Sequence, residues 1–176
     1  LWLYRKQYSA RNIAILVPAA AIGIGVGWAM ASHTNEDFVK VLVGVIGLAY
    51  CVDAMLKARA NLPPKPADVP RGAFWGALTG FTSFVSHAGA PPFQMYVLPQ
   101  RLDKMVYAGT STITFAAINL LKLPPYWMLD QVNVGSLEIC AVLTPLALFG
   151  AWAGYKLTLI IPQGLFYRAV EVALFL

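Results

Sequence analysis

Charged residues are scarce in this sequence. Only 12% of its 176 residues are Asp, Glu, Lys or Arg, against roughly 25% in soluble domains. Hydrophobic residues make up 59% of the chain, so a soluble protein of this size would lack the polar surface needed to cover its core. The composition therefore excludes a disordered tail and an ordinary soluble domain, and it predicts a polytopic membrane protein.

Cysteine is also rare, and both copies, Cys51 and Cys140, lie inside apolar segments. This pattern excludes a disulfide framework and a cysteine-based metal site, and we expect no cofactor. The formal net charge is +5, but the basic residues lie at the ends of apolar runs, so no nucleic-acid partner is expected. The sequence has no GxSxG or HExxH motif and no paired glutamates, and we therefore do not expect an enzyme.

An initiator methionine and a signal peptide are absent as well, and the sequence stops within an apolar run. We expect it to be part of a longer protein.

Long apolar runs dominate what is present. Residues 12–32 hold no charged residue over 21 positions, which is enough for one membrane-spanning helix. The predicted fold is all-α, with about five spanning helices in a single membrane domain, embedded in a lipid bilayer. Prolines and basic residues predict a loop over 57–71, and Pro124 and Pro125 predict another over 122–134. The predicted spans are residues 12–32, 38–56, 105–121, 135–155 and 164–176.

Residues 72–98 are apolar but interrupted by the sequence SHAGAPP at 86–92. Neither piece is long enough to span a bilayer comfortably. If the segment enters and leaves on one side, the cytoplasmic side carries 11 Lys and Arg residues and the opposite side carries two, Lys40 and Lys122. A single crossing gives 8 against 5. The positive-inside rule therefore favours a re-entrant, broken-helix hairpin.

A re-entrant tip is tolerated in a membrane where it lines a cavity inside the protein. Pro91 and Pro92 suit the first turn of a second half-helix, whose N-terminus would hold an anion at mid-membrane depth, where Lys and Arg are almost absent. Thr and Ser residues in the next span supply further donors, although such hydroxyls also bond to their own helix. His87 is as compatible with a structural role as with a role as a proton carrier. The predicted substrate-binding residues are Ser86, His87, Gly89, Ala90, Gln94, Thr110, Ser111, Thr112 and Asn119.

Residues 80–126 resemble the TauE/SafE family of sulfite and organosulfonate exporters. The resemblance rests on SHAGAPP at 86–92, on GTST at 109–112, and on Asn119 with the Lys-Leu-Pro that follows. Residues 1–79 fit only in general character, and Ala90 stands where many relatives have a second glycine. The resemblance implies the second half of a two-repeat transporter fold in the bacterial inner membrane. It also implies a secondary transporter for sulfite, sulfonate or a related oxyanion. Protons and a second copy of the chain are further candidate partners.

Two other functions stay open at this point. A passive anion channel or pore would need a continuous polar lining, whereas the polar residues here are local. A non-catalytic scaffold subunit of a membrane complex would need no binding site. Saturation and proton dependence of flux would distinguish a carrier from a channel.

Overall fold

The computed structural model describes residues 4–31, 37, 41–42, 44–49, 52, 63–130 and 134–173. This part of the chain is helical and contains no strand. Residues 41–42 and 44–49 are helical, and most of the predicted span 38–56 lies outside the described residues. The remaining helices are α1 (Ala10–Ala29), α2 (Val69–Ser86), α3 (Ala90–Val97), a 3-10 turn (Leu98–Gln100), α4 (Lys104–Met128), α5 (Val134–Ile160) and α6 (Gln163–Val172).

Side-chain caps define where α1, α2 and α4 begin. The Ser9 side chain accepts from the N–H of Asn12, and the Asp68 carboxylate accepts from the N–H of Arg71. The Asp103 side chain accepts from the N–H of Met105. Each cap satisfies an N–H that has no partner within the helix. All three capping residues belong to polar stretches that separate apolar runs, so the local sequence sets where these helices begin.

α1 and α2 run parallel and pack closely through small residues. Gly76 of α2 lies on Leu16 and Ala19, Gly80 lies on Ala20, and Gly27 of α1 lies on Phe84. A Cβ at Gly80 would overlap the carbonyl of Ala20. Glycine therefore allows the two backbones to approach as they do in membrane helix pairs.

α2 and α3 form a hairpin whose two ends meet. The backbone N–H of Lys65 donates to Pro99 O at 2.9 Å, and the Tyr96 hydroxyl donates to Asp68 O at 3.0 Å. The residues just before α2 thus lie beside the residues just after α3. The tip of the hairpin, residues 86–90, is at the other end, where the sequence break is located.

A buried amide pair attaches this hairpin to α1. Asn12 Nδ2 donates to Gln100 Oε1 at 2.8 Å, and Gln100 Nε2 donates to Asn12 Oδ1 at 3.1 Å and to Tyr96 O at 3.2 Å. Leu16, Phe93, Tyr96, Val97 and Tyr107 form the hydrophobic core beside it. The end of α3 is consequently fixed against the start of α1.

α4 continues past the point where the loop 122–134 is predicted. It extends to Met128 and includes Pro124 and Pro125. A proline removes the bond to the carbonyl four residues earlier, and those carbonyls belong to Leu120 and Leu121, which are exposed. The helix continues despite these two lost bonds, as membrane helices often do.

α5 and α6 complete the described chain. Lys104 Nζ at the start of α4 donates to Leu159 O and Ile161 O, so the end of α5 lies beside the start of α4. The Tyr167 hydroxyl on α6 donates to Leu102 O. α6 spans ten residues, and residues 174–176 of the predicted span 164–176 lie outside the described residues.

Two helices in the described part of the chain are long and apolar enough to cross a membrane. They are Ala10–Ala29 and Glu138–Ile160, with mean hydropathies of 1.8 and 1.3. They overlap the predicted spans 12–32 and 135–155, and each extends beyond its predicted span at one end. The helical architecture agrees with the predicted all-α class, while the number of spans and the two-repeat arrangement remain predictions.

The α1–α2 contact leads to a direct test with two glycines of one helix. Gly23→Ala should lower the unfolding temperature of the detergent-solubilised protein, because its Cβ would overlap the carbonyl of Ala77. Overpacking of this kind costs about 1–3 kcal/mol. Gly25→Ala is the control, since a Cβ there has no neighbour within 4 Å and alanine favours the helix. Equal unfolding temperatures for the two variants would contradict the close contact.

Candidate functional site

The tip of the hairpin is an ordered helix end rather than an open loop. His87 is left-handed, with φ of 56°, which is uncommon for a residue other than glycine. The backbone N–H groups of His87 and Ala88 both point at Thr82 O, and the Ser86 hydroxyl also donates to Thr82 O at 3.0 Å. The His87 side chain is exposed, so of these predicted site residues it is the one that faces outward.

Gly89 lies in the densest part of the tip. Its φ is −78°, a value open to any residue, so the turn itself does not require glycine. A Cβ at Gly89 would instead lie 2.9 Å from Ser83 Cβ, 3.0 Å from Thr79 O and 3.2 Å from Phe115 Cε1. Glycine is therefore needed here because the start of α3 touches the middle of both α2 and α4.

The first turn of α3 offers fewer backbone donors than expected. Pro91 and Pro92 carry no N–H, and the N–H of Phe93 donates to Gly89 O at 3.3 Å. Gly89 and Ala90 are left as the residues whose N–H groups can face a ligand at this helix start. The prolines that favour the break thus also reduce the capacity of the helix N-terminus to hold an anion.

The predicted hydroxyl cluster on α4 is divided between several environments. Thr110 Oγ1 accepts from the N–H of Ser9 at 2.9 Å and donates to Val106 O, which ties α4 to the start of α1. Ser111 donates to Ala108 O within its own helix. Thr112 is half-buried and Asn119 is exposed. The hairpin contacts α4 further along. Gly89 of the tip lies against Phe115, and the last turn of α2 bonds to Lys122 and Tyr126.

Two buried oxygens in the described residues have no hydrogen-bond partner. They are Gln94 Oε1 on α3 and Thr114 Oγ1 on α4, in side chains that are 8% and 0% exposed. Their chain neighbours Phe93 and Phe115 pack ring to ring at 5.2 Å. An unpartnered buried polar atom costs about 1–3 kcal/mol, so α3 and α4 each carry a buried polar group that no hydrogen bond within the described residues satisfies.

A buried lysine is the main feature that sequence reasoning missed. Lys122 is 3% exposed, and its ammonium donates to Ser83 O at 3.2 Å and to Ser83 Oγ at 3.1 Å. It also lies 5.8 Å from the centre of the Tyr126 ring. A basic side chain therefore lies in the interior beside the end of α2, contrary to the expectation that Lys and Arg are almost absent there and that Lys122 lies in an outer loop.

The helical period of α4 is the signal that would have found Lys122. Thr110, Thr114, Ile118 and Lys122 recur at four-residue intervals and are all buried. That spacing places them on one face of a helix. The two prolines after Lys122 predict a loop instead, and a loop over 122–134 would take Lys122 off this face.

Comparison with known proteins identifies the family. The family profile for the sulfite exporter TauE/SafE matches residues 1–176, including residues 1–79, where the resemblance in sequence is only general. No curated protein and no solved structure gives a significant match. Because the profile covers the whole printed sequence, the chain belongs to the TauE/SafE sulfite exporter family, whose members are integral membrane transporters rather than enzymes.

Proposed function

We propose that this chain is a secondary transporter for a small sulfur oxyanion, sulfite or a sulfonate, and that it binds the anion at the hairpin tip formed by α2 and α3. The family supports the substrate class. The hairpin supports the location, because its ends meet through Lys65 and Pro99 while its tip packs on α4. That closed hairpin is the observation that carries the proposal.

The hairpin geometry favours a re-entrant segment over a single crossing. A segment that starts and ends at one place leaves the membrane on the side where it enters, as the charge distribution also indicates. Its irregular tip needs protein or water around it instead of lipid, and α4 supplies that protein surface through Phe115 and Tyr126.

The polar groups near the tip suit an oxyanion. The N–H groups of Gly89 and Ala90 lie at the positive end of the α3 dipole. The Thr114 hydroxyl is a donor whose oxygen has no partner in the described residues, and the Gln94 amide can rotate to present its NH₂ group. An anion bound there would receive the hydrogen bonds that these buried groups do not make with each other.

Flux measurements on the intact protein in proteoliposomes test the function directly. Sulfite, sulfonate and sulfate would be compared, with concentration varied for each. The proposal expects saturable flux with a preference for sulfur oxyanions. Flux that rises linearly with concentration would indicate a channel and contradict a carrier.

Cysteine labelling tests the re-entrant arrangement. With Cys51 and Cys140 replaced by serine, Lys65→Cys and Arg101→Cys should react with a membrane-impermeant maleimide from the same, cytoplasmic side, because Lys65 and Pro99 are hydrogen-bonded neighbours. Leu129→Cys, at the end of α4, is the control and should react only from the opposite side. Labelling of the cysteine at position 101 from the outside would contradict the hairpin topology.

Thr114→Val separates binding from stability. The substitution removes a buried hydroxyl that has no partner, so the unfolding temperature should stay the same or rise. The KM for sulfite should increase by about tenfold, the value of one hydrogen bond to a charged ligand.

Thr110→Val is the matched control on the same face of α4. It loses bonds to Ser9 and Val106, so it should lower the unfolding temperature with little change in KM. An unchanged KM in Thr114→Val would show that this hydroxyl does not contact the anion.

A further inference from the structure

We infer that Lys122 is the cationic substrate-binding residue of this transporter and that its ammonium neutralises the oxyanion at the hairpin tip. This inference rests on the proposed function and adds to it the group that recognises charge. Neither the family match nor the sequence motifs assign a role to this residue.

The position of Lys122 connects it to the tip through one side chain. Its ammonium is 3.1 Å from Ser83 Oγ, and Ser83 Cβ in turn lies against Gly89. The charge is therefore close, through Ser83, to the backbone where α3 begins. An oxyanion bound at the ammonium would also lie near the N–H groups at the positive end of the α3 dipole.

The described residues compensate the positive charge of Lys122 only in part. A buried ammonium is costly unless it is paired with an anion or fully hydrogen-bonded. Lys122 has two recorded hydrogen bonds, both to Ser83, and the Tyr126 ring beside it. Within the described part of the chain no carboxylate pairs with Lys122. A charge buried in this way in a membrane protein is a mark of a substrate or ion pathway.

A purely structural role as a helix cap would not require this burial. Lys104 makes the same kind of contact, since it donates to Leu159 O and Ile161 O at the end of α5, yet it is only half-buried. Lys122 likewise donates to a carbonyl in the last turn of α2. Because Lys104 caps α5 near the surface, capping alone does not explain why Lys122 lies in the interior beside the break.

The exposed His87 marks a route to the ammonium. The His87 ring lies 6.0 Å from the Tyr126 ring, and the Lys122 ammonium lies on that same ring at 5.8 Å. The Tyr126 hydroxyl donates to Phe84 O at 2.9 Å, which holds the ring at the end of α2. A small anion that reaches His87 would therefore be close to the Tyr126 ring, which also lies beside the ammonium.

Binding exchanges hydrogen bonds and involves no covalent change. The oxyanion takes the place of the Ser83 oxygens on the ammonium, and the resulting charge-assisted bonds are stronger than those that they replace. An ammonium is a point charge with three donors, so it suits anions with several equivalent oxygens. We therefore expect sulfite and related small oxyanions to bind, and uncharged sulfones not to compete.

The experiment compares three variants of the intact protein. Lys122→Met removes the charge, Lys122→Arg keeps it, and Lys104→Met is the control that removes a cap distant from the tip. Two quantities are measured with sulfite as the probe: the KM for flux into proteoliposomes and the sulfite-induced rise in unfolding temperature in detergent.

The expected results separate a binding role from a structural one. Lys122→Met should raise the KM by about 30-fold or more, as loss of one partner of a buried charge pair does, and should abolish the sulfite-induced thermal shift. Lys122→Arg should retain a thermal shift. Lys104→Met should lower the unfolding temperature without sulfite while its KM and its thermal shift stay as in the wild type.

A fourth variant guards against loss of folding. Lys122→Gln keeps N–H donors for Ser83 O but carries no charge. If Lys122 is only a cap, this variant should behave like the wild type, and that result would overturn the inference. If Lys122 binds the anion, the variant should fold and still lose the sulfite-induced shift.

The two proposals fail in different ways. A wild-type protein without saturable flux of any sulfur oxyanion would overturn the proposed function, and this inference with it. Saturable wild-type flux together with an unchanged KM in the uncharged Lys122 variants would overturn the inference alone.

Discussion

The close parallel contact between α1 and α2 is the constraint on which the rest of the structure depends. Gly76 and Gly80 of α2 lie directly on the backbone of α1, and any side chain at Gly80 would force the helices apart. This contact fixes the depth and rotation of α2. It thereby decides where Ser83, Phe84 and the break at 86–90 meet α4.

The hairpin tip is stabilised from three directions by different interactions. Thr82 O receives the N–H groups of the last turn, Phe115 fills the space beside Gly89, and Tyr126 holds the end of α2 through Phe84 O. These contacts compensate for the unusual backbone of His87. The tip is thus held by contacts with both α2 and α4. Gln94, one turn into α3, and Thr114, next to Phe115, each carry a buried oxygen without a partner in the described residues.

The prolines at the break limit one source of anion affinity, and the structure places another nearby. Pro91 and Pro92 reduce the donors of the α3 N-terminus, whereas Lys122 places a basic side chain 3.1 Å from Ser83 Oγ. In the proposed site the lysine and the α3 dipole would act together on one anion.

The sequence by itself determined the class of protein and the position of the break. Low charge, long apolar runs and SHAGAPP are local properties, and local propensity is enough to end α2 at Ser86 and to start α3 at Ala90. The identity of the family followed from motifs of the same local kind. The roles of individual site residues did not follow, because hydroxyls at Thr110 and Thr114 look alike in sequence although one is fully bonded and the other has no partner.

Only the tertiary structure decided that Lys122 belongs to the interior and that Gly89 is required by packing. The sequence around Lys122 contains two prolines and favours a loop, but contacts with α2 keep α4 helical to Met128 and bury the ammonium against Ser83. Burial of a charge depends on which helix lies opposite, and that partner is distant in sequence. For the same physical reason, the need for glycine at 89 arises from Ser83 and Phe115 on two other helices rather than from its own backbone angles.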